Sequence, residues 1–241
     1  MLKDKFGFNF WPSFTDLMLS LVLVVLIILF VVSKMIAAGS ENLDKARESQ
    51  KVIQSQIQEQ IGKNYTIAVI SDKNDAVSSK SNEETIEKMK NTKADITIID
   101  KLDRQTITFS DKILFDSGES ELKPAGKEIL KVVGPVVADN LKNISEIQIQ
   151  GHADIEYTDD YNLTLASNRA IAVYKFLQST VGIDPANYLM SITSFGKYKP
   201  VGREAGQSFD RQKLLEANIG KEAMAKNRRI EIVLFYKNDM K

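Results

Sequence analysis

From Ser13 to Val32 the chain reads SFTDLMLSLVLVVLIILFVV, apolar at every position except Ser13, Thr15, Asp16 and Ser20. At ~1.5 Å rise per residue, about 20 residues reach ~30 Å, the thickness of a hydrocarbon core. Residues 12–34 are therefore expected to form one transmembrane helix. Pro12 suits the first helical position, which sets Asp16 about a turn inside. Ser13, Asp16 and Ser20 stand at i, i+3 and i+7 and share one helix face. An acid inside such a helix costs roughly 2.5–3.5 kcal/mol at its centre on insertion scales. From the helix alone two readings of Asp16 stay open: a functional acid on a polar stripe facing a partner helix or ion path, or an interfacial acid reaching toward head groups. Phe6, Phe8, Phe10 and Trp11 suit an aromatic belt at the preceding interface.

Beyond Gly39, ENLDKARESQKVIQSQIQEQIG is polar and helix-favouring, with Val52, Ile53, Ile57 and Ile61 at helical spacing. It reads as a stalk, a pairing helix or a solvated linker. NYTIAVI (64–70) and DITIID (95–100) have the pattern of short strands, joined by a polar stretch with a short helix. From about residue 104 the text is globular: RQTITFSDKILF as strands, a break at Asp116-Ser-Gly118, and an amphipathic helix from Pro124 to about Asp139. ISEIQIQG follows as a strand, Tyr161–Thr180 as a helix, LMSITSFG as a strand and NRRIEIVLFY as a last strand. This predicts a fold of the α/β (α+β) class, a βαβαββ sandwich with helices packed on one sheet. The expected division is 1–11 a short N-terminal arm, 12–34 the membrane helix, 35–103 a stalk with short strands, and 104–241 the folded domain.

Lysine plus arginine and aspartate plus glutamate each number 32, so the chain's charge points to no nucleic acid partner. There is no cysteine and one histidine, which excludes disulfides, thiolate chemistry and a multi-histidine metal site within one chain. The apolar run is too long for an ordinary signal peptide and Lys34 interrupts it, so a retained anchor is expected rather than cleavage near Ala37-Ala38-Gly39.

Gly151-His152-Ala153-Asp154 leaves the ISEIQIQG strand, and Tyr161-Asn162-Leu-Thr-Leu165-Ala-Ser-Asn-Arg169 follows on a helix. Asn162 and Arg169 are two turns apart and face the same loop. A carboxylate, an amide and a guanidinium converging suit a small zwitterion, with Asp154 taking its ammonium and Arg169 its carboxylate. A structural Asp–Arg pair pinning loop to helix is the competing reading. His152 has no nucleophile or metal constellation around it, so no enzyme is expected.

These residues, with Ile113-Leu-Phe-Asp-Ser-Gly, Leu122-Lys-Pro124 and the closing Asn227-Arg228-Arg229-Ile-Glu-Ile, resemble the C-terminal peptidoglycan-binding domain of the OmpA/MotB family over about residues 105–237. The resemblance implies that Asp154 and Arg169 hold the diaminopimelate of the wall peptide, with Tyr161, Asn162, Leu165 and Arg228 contributing. Ala153 and Ala166 replace the family's usual Thr and Ser, and Pro200–Asn227 is longer than usual, with SFDRQKLLEANIGKEAMAK readable as an added helix.

A membrane helix with an early acid ahead of such a domain resembles the MotB class of stator subunits, and FWPSFTDLM most resembles the ZorB subunits of Zorya anti-phage defence. The resemblance implies an ion path at Asp16 with Ser13, Thr15 and Ser20, and no cofactor beyond the transported ion, a proton, with sodium open. Its implied partners are a homodimer mate, peptidoglycan, and a ZorA/MotA-like multi-helix protein, five copies around two of this chain. The N-terminus would be cytoplasmic and the domain periplasmic, on the inner membrane. A flagellar-type MotB stator and a passive OmpA-like envelope tether are the alternatives.

Overall fold

The structure, a computed structural model, describes residues 11–71, 86–203 and 206–237, with the backbone alone for 11–13 and 38. The chain divides into two compact units between Leu43 and Asp44.

Helix α1 runs unbroken from Trp11 to Ile61. Up to Ile36 it is long and apolar enough to cross a membrane, by length and composition, and its large apolar side chains from Phe14 onward are all exposed. So long a bare apolar surface is not left to water in a stable soluble helix. The Ser20 hydroxyl donates to the carbonyls of Asp16 and Leu17, both at 2.9 Å, which satisfies it within its own helix.

The second unit, Asp44–Lys237, is built on one six-stranded sheet. Its strands are β1 (Ile67–Ser71), β2 (Ile96–Asp100), β3 (Arg104–Ser110), β4 (Ile144–His152), β5 (Leu189–Gly196) and β6 (Arg229–Tyr236), in spatial order β1-β2-β3-β6-β4-β5. The outer pairs β1/β2 and β4/β5 are parallel, while β2/β3, β3/β6 and β6/β4 are antiparallel. Helices α2 (Pro124–Asp139) and α3 (Asp159–Phe176) complete the expected βαβαββ order.

Alternation along the strands puts Ile98, Ile107, Phe109, Ile149, Ile232 and Leu234 on one face, in a single buried cluster with Ile129, Leu130 and Val133 of α2 and Ala170 and Val173 of α3. Ile53, Ile57 and Ile61 of α1 join the same cluster. Gln50 fastens that helix: its amide donates to the Lys101 carbonyl at 2.8 Å, and Gln105 donates back to the Gln50 carbonyl at 3.1 Å.

The boundary expected at residue 104 therefore moves to residue 44. The isoleucine stripe of 44–61 is spent in the chain's own core, not on a solvated linker, and β1 and β2 extend the domain's sheet. Two further corrections follow from local signals. In RQTITFSDKILF only Arg104–Ser110 is strand, because Asp111–Leu114 turns into a short helix. The added segment is two short helices, Arg211–Glu216 and Lys221–Asn227, separated by a turn through Gly220, whose φ of 86° suits glycine. Of the polar stretch before β2, residues 86–91 are helical, and 72–85 lie outside the described residues.

Candidate functional site

Asp154 begins where β4 ends. Gly151 lets β4 approach α3 closely: a Cβ there would stand 2.0 Å from the Ala166 carbonyl oxygen. The chain then loops to Thr158, whose hydroxyl caps α3 by accepting from the Tyr161 N–H at 3.3 Å. Asn162, one turn in and buried, ties this loop down by donating to the Asp154 carbonyl at 2.9 Å and the Tyr157 carbonyl at 3.2 Å. The Asp154 carboxylate accepts the Glu156 N–H at 3.0 Å through one oxygen and the Arg228 guanidinium through the other.

Arg169 lies two turns further along α3 and is also buried. Each of its guanidinium nitrogens is engaged: Nη1 with Asp111 at 2.9 Å, Nε with the Glu119 carbonyl at 2.7 Å and Nη2 with the Asp116 carbonyl at 3.2 Å. It also lies over the Phe115 ring at 5.2 Å. Burial pushes the Asp111 carboxyl above its usual range, although Arg169 and Arg228 pull it down. Burial likewise lowers Arg169, with Asp111 opposing. The Asp111 N–H donates to the Arg228 carbonyl at 3.1 Å, so one residue braces both arginines.

These groups line a cavity of about 490 Å³ that takes in Asp154, Asn162, Leu165, Arg169 and Arg228. Its charged lining is Lys112, Lys123, Lys221, Arg169 and Arg228 against Asp111, Asp116, Asp154 and Glu156, five cations to four anions. Near balance of this kind suits a ligand carrying both charges rather than a bare anion. Tyr161 is not in the lining; it packs on Tyr157, which is, with ring centroids 4.8 Å apart.

Of the residues expected at the site, Asp154, Asn162, Leu165, Arg169 and Arg228 share this cavity, while Tyr161 stands outside its lining. The competing reading, a pair between Asp154 and Arg169, is not what forms: Asp154 takes Arg228, and Arg169 takes Asp111. Asp111 was missed, although Ser-Asp ahead of Lys-Ile-Leu is a helix-start pattern that marks where the strand gives way. Asp16, Thr15 and Ser20 lie in the other unit, and the side chain of Ser13 is outside those described.

Residues 114–213 match the OmpA family, and the unit is a mixed α/β, OmpA-like domain following a helix apolar enough to cross a membrane. The chain is 34% identical over 96 residues to a peptidoglycan-associated lipoprotein of Agrobacterium fabrum, covering 40% of this chain and 51% of that protein. It is 31% identical over 127 residues to outer membrane protein A of Bordetella avium, covering 52% and 55%. It thus spans about half the length of the curated relatives it matches. Among solved structures, a MotB-like protein of Desulfovibrio vulgaris superposes over 80% of this chain and 96% of that one, at 19% identity and a TM-score of 0.48.

Proposed function

We propose that the domain over residues 44–237 grips peptidoglycan through the cavity at Asp154, and that α1 anchors it in the inner membrane with the domain in the periplasm. The observation that carries this reading is the two ion pairs, Asp154–Arg228 and Asp111–Arg169, set in one cavity of about 490 Å³. It offers a buried carboxylate and a guanidinium to the amino-acid end of a wall peptide, with Asn162 holding the loop and Tyr157, backed by Tyr161, at its aromatic edge. The names of the curated relatives are consistent with it. Pull-down on isolated peptidoglycan tests it: Asp154→Ala or Arg169→Ala should reduce retention by about tenfold or more, the scale of losing one charged contact. Wild-type retention in both variants would make the pairs purely structural.

The same reading takes the chain as a stator subunit of an ion-driven motor, in which Asp16 carries a proton beside a ZorA/MotA-like partner and two copies act together. It is supported by the acid on a helix whose other side chains from Leu17 to Val32, Ser20 apart, are apolar and exposed. Protonation neutralises Asp16 and release recharges it, so each cycle alters its contacts with partner helices, while the gripped wall supplies a fixed point to push against. One elementary charge crossing 100 mV is worth ~2.3 kcal/mol, comparable with a few interfacial contacts. In the setting the FWPSFTDLM segment suggests, the motor serves anti-phage defence of the Zorya type. Asp16→Asn should keep expression and assembly yet abolish ion flow and phage protection. Intact function after replacing residues 12–33 with a poly-Leu span would reduce the chain to a passive tether.

A further inference from the structure

On the sheet face opposite the main core lies a second cavity, of about 420 Å³, which shares no lining residue with the one at Asp154. Ile98, Ile107 and Ile232 turn toward the core, so their strand neighbours turn outward to floor it. Register sets Ile99, Thr106 and Val233 side by side across β2, β3 and β6, and Gln150 beside Glu231 across β4 and β6. The volume falls in the range of small-molecule sites.

Its charges are one-sided, unlike those at Asp154. Lys101, Arg104, Lys199, Arg203 and Arg229 stand against Glu231 as the charged groups among the described residues of the lining, in a chain whose charges balance as a whole. Glu231 is already committed, with Arg229 Nε on one oxygen at 2.7 Å and Lys199 Nζ 3.9 Å from the other. Arg229 is committed too, since Nη1 and Nη2 donate at 3.3 Å to the carbonyls of Asn227 and Lys199. Arg104 and Arg203 differ. The Arg203 guanidinium lies over the Phe209 ring at 4.3 Å and donates through Nη1 to the Tyr198 carbonyl. The Arg104 guanidinium meets Asp103 at 3.6 Å, an exposed pair of the kind worth little. With five N–H donors each, both keep donors for a ligand.

Between the cations the lining is apolar, with Met89, Phe195 and Pro200 joining Ile99 and Val233. A bare ion would use the cations alone, and a neutral ring the apolar wall alone. We propose that this cavity binds an organic phosphate monoester, with Arg104 and Arg203 as partners of the phosphate and the apolar floor as the seat of its organic body. A phosphate monoester carries about −1.5 to −2 charge at pH 7 and three acceptor oxygens, which answers two arginine forks where one carboxylate answers one. The same chemistry is offered by a soluble phosphorylated metabolite and by the headgroup of a phosphorylated lipid. The site is separate from wall binding and does not depend on it.

The test uses the full chain in phosphatidylcholine nanodiscs, titrated calorimetrically with phenyl phosphate, inorganic phosphate and phenol, with empty nanodiscs as the blank. Phenyl phosphate should bind at least about tenfold more tightly than either fragment. Arg104→Gln and Arg203→Gln should each weaken it about tenfold, the scale of losing a charge-assisted hydrogen bond, while peptidoglycan retention stays at the wild-type level. Asp154→Ala should leave phenyl phosphate binding unchanged. Repeating the titration in nanodiscs containing phosphatidic acid identifies the source: competition assigns the site to a lipid headgroup and unchanged binding to a soluble ester, and either supports it. No binding of phenyl phosphate, or equal binding of inorganic phosphate, overturns the proposal. So does binding that survives both arginine variants or falls with Asp154→Ala, because the ligand then sits elsewhere. None of these results touches the wall-binding reading, which fails only on loss of wild-type retention or on full retention in its own variants.

Discussion

His152 Nε2 stands 3.4 Å from Glu231 Oε2, with both side chains buried, and its ring stacks on Phe195 with centroids 5.3 Å apart. The pair lies on the sheet face opposite the main core, where Arg229 Nε holds the other Glu231 oxygen at 2.7 Å. Burial drives the histidine down to about 4, with Arg229 adding to the effect and Glu231 opposing it. Burial alone would raise Glu231, yet Arg229, His152 and Lys199 together hold it well below the usual carboxylate range. The ring is thus packed as a neutral group beside a charged acid–base pair.

Because the unfolded ring titrates near 6.5 and the folded one near 4, the unfolded state takes up a proton first as pH falls. Stability present above pH 6.5 should be lost progressively toward pH 4. Between pH 7.5 and 5 the loss should be about 2 kcal/mol, at 1.36 kcal/mol for each pH unit of unmatched titration. His152 is the chain's one histidine, so urea melts of residues 44–237 report on it. Asp111, raised by burial, works in the opposite sense, gaining stability as pH falls through its folded value. His152→Gln is the control that isolates the ring. It should remove the His152 contribution and leave the Asp111 one.

Asp111 and Arg169 should show the asymmetry of a buried ion pair. Asp111→Asn or Arg169→Met alone leaves an uncompensated partner in a wall where both side chains are withdrawn from water. Each should cost about 3–5 kcal/mol, while replacing both together should cost well under the sum. Denaturant melts of the three variants give the coupling. Peptidoglycan retention should fall in all three, since Asp111 also braces the Arg228 backbone.

How much of this was readable beforehand follows how local each signal is. The sequence predicts the strand Leu189–Gly196 and the helix Pro124–Asp139 because alternation and a proline at the first helical position act within the element itself. The site loop and its helix are legible too, since Asp154, Asn162 and Arg169 are separated by a short loop and two turns, although the α-helix starts at Asp159 and gives way to a π turn at Leu177–Val181. What could not be read was partner choice. Asp154 meets Arg228 across a separation of 74 residues, and Asp111 meets Arg169 only because the end of β3 folds onto α3. The isoleucine stripe of 44–61 was visible, but a stripe does not say which surface it packs against.

Gly151→Ala should separate positional from general damage. The added methyl would stand 2.0 Å from the Ala166 oxygen and 2.6 Å from its carbonyl carbon, both backbone atoms that cannot rotate away. Forcing β4 from α3 should cost about 3 kcal/mol and displace the loop carrying Asp154, so peptidoglycan retention should drop with it. Gly182→Ala is the comparison: at a φ of 86° it is strained, but nothing lies within 4 Å of the added carbon. It should cost about 1 kcal/mol while leaving retention unchanged.

The packing of the α1 continuation makes the last prediction. Ile53 and Ile57 are fully buried, whereas Val52 on the same helix is 37% exposed. Ile53→Ala or Ile57→Ala should each destabilise residues 44–237 by about 2–5 kcal/mol, the range for emptying a core position. Val52→Ala should change stability by only about 0.5 kcal/mol. A linker helix lying in solvent would show small effects at all three positions, so equal small changes in denaturant melts would contradict the packing described above. The consequence reaches beyond stability: because the segment leaving the apolar helix is itself part of the domain's core, no flexible spacer separates residue 44 from the sheet that carries Asp154. Lengthening the helix there by a two-residue insertion after Gln54 would rotate Ile57 and Ile61 off the core face by about 200°, at 3.6 residues per turn, and should destabilise the domain as strongly as either alanine.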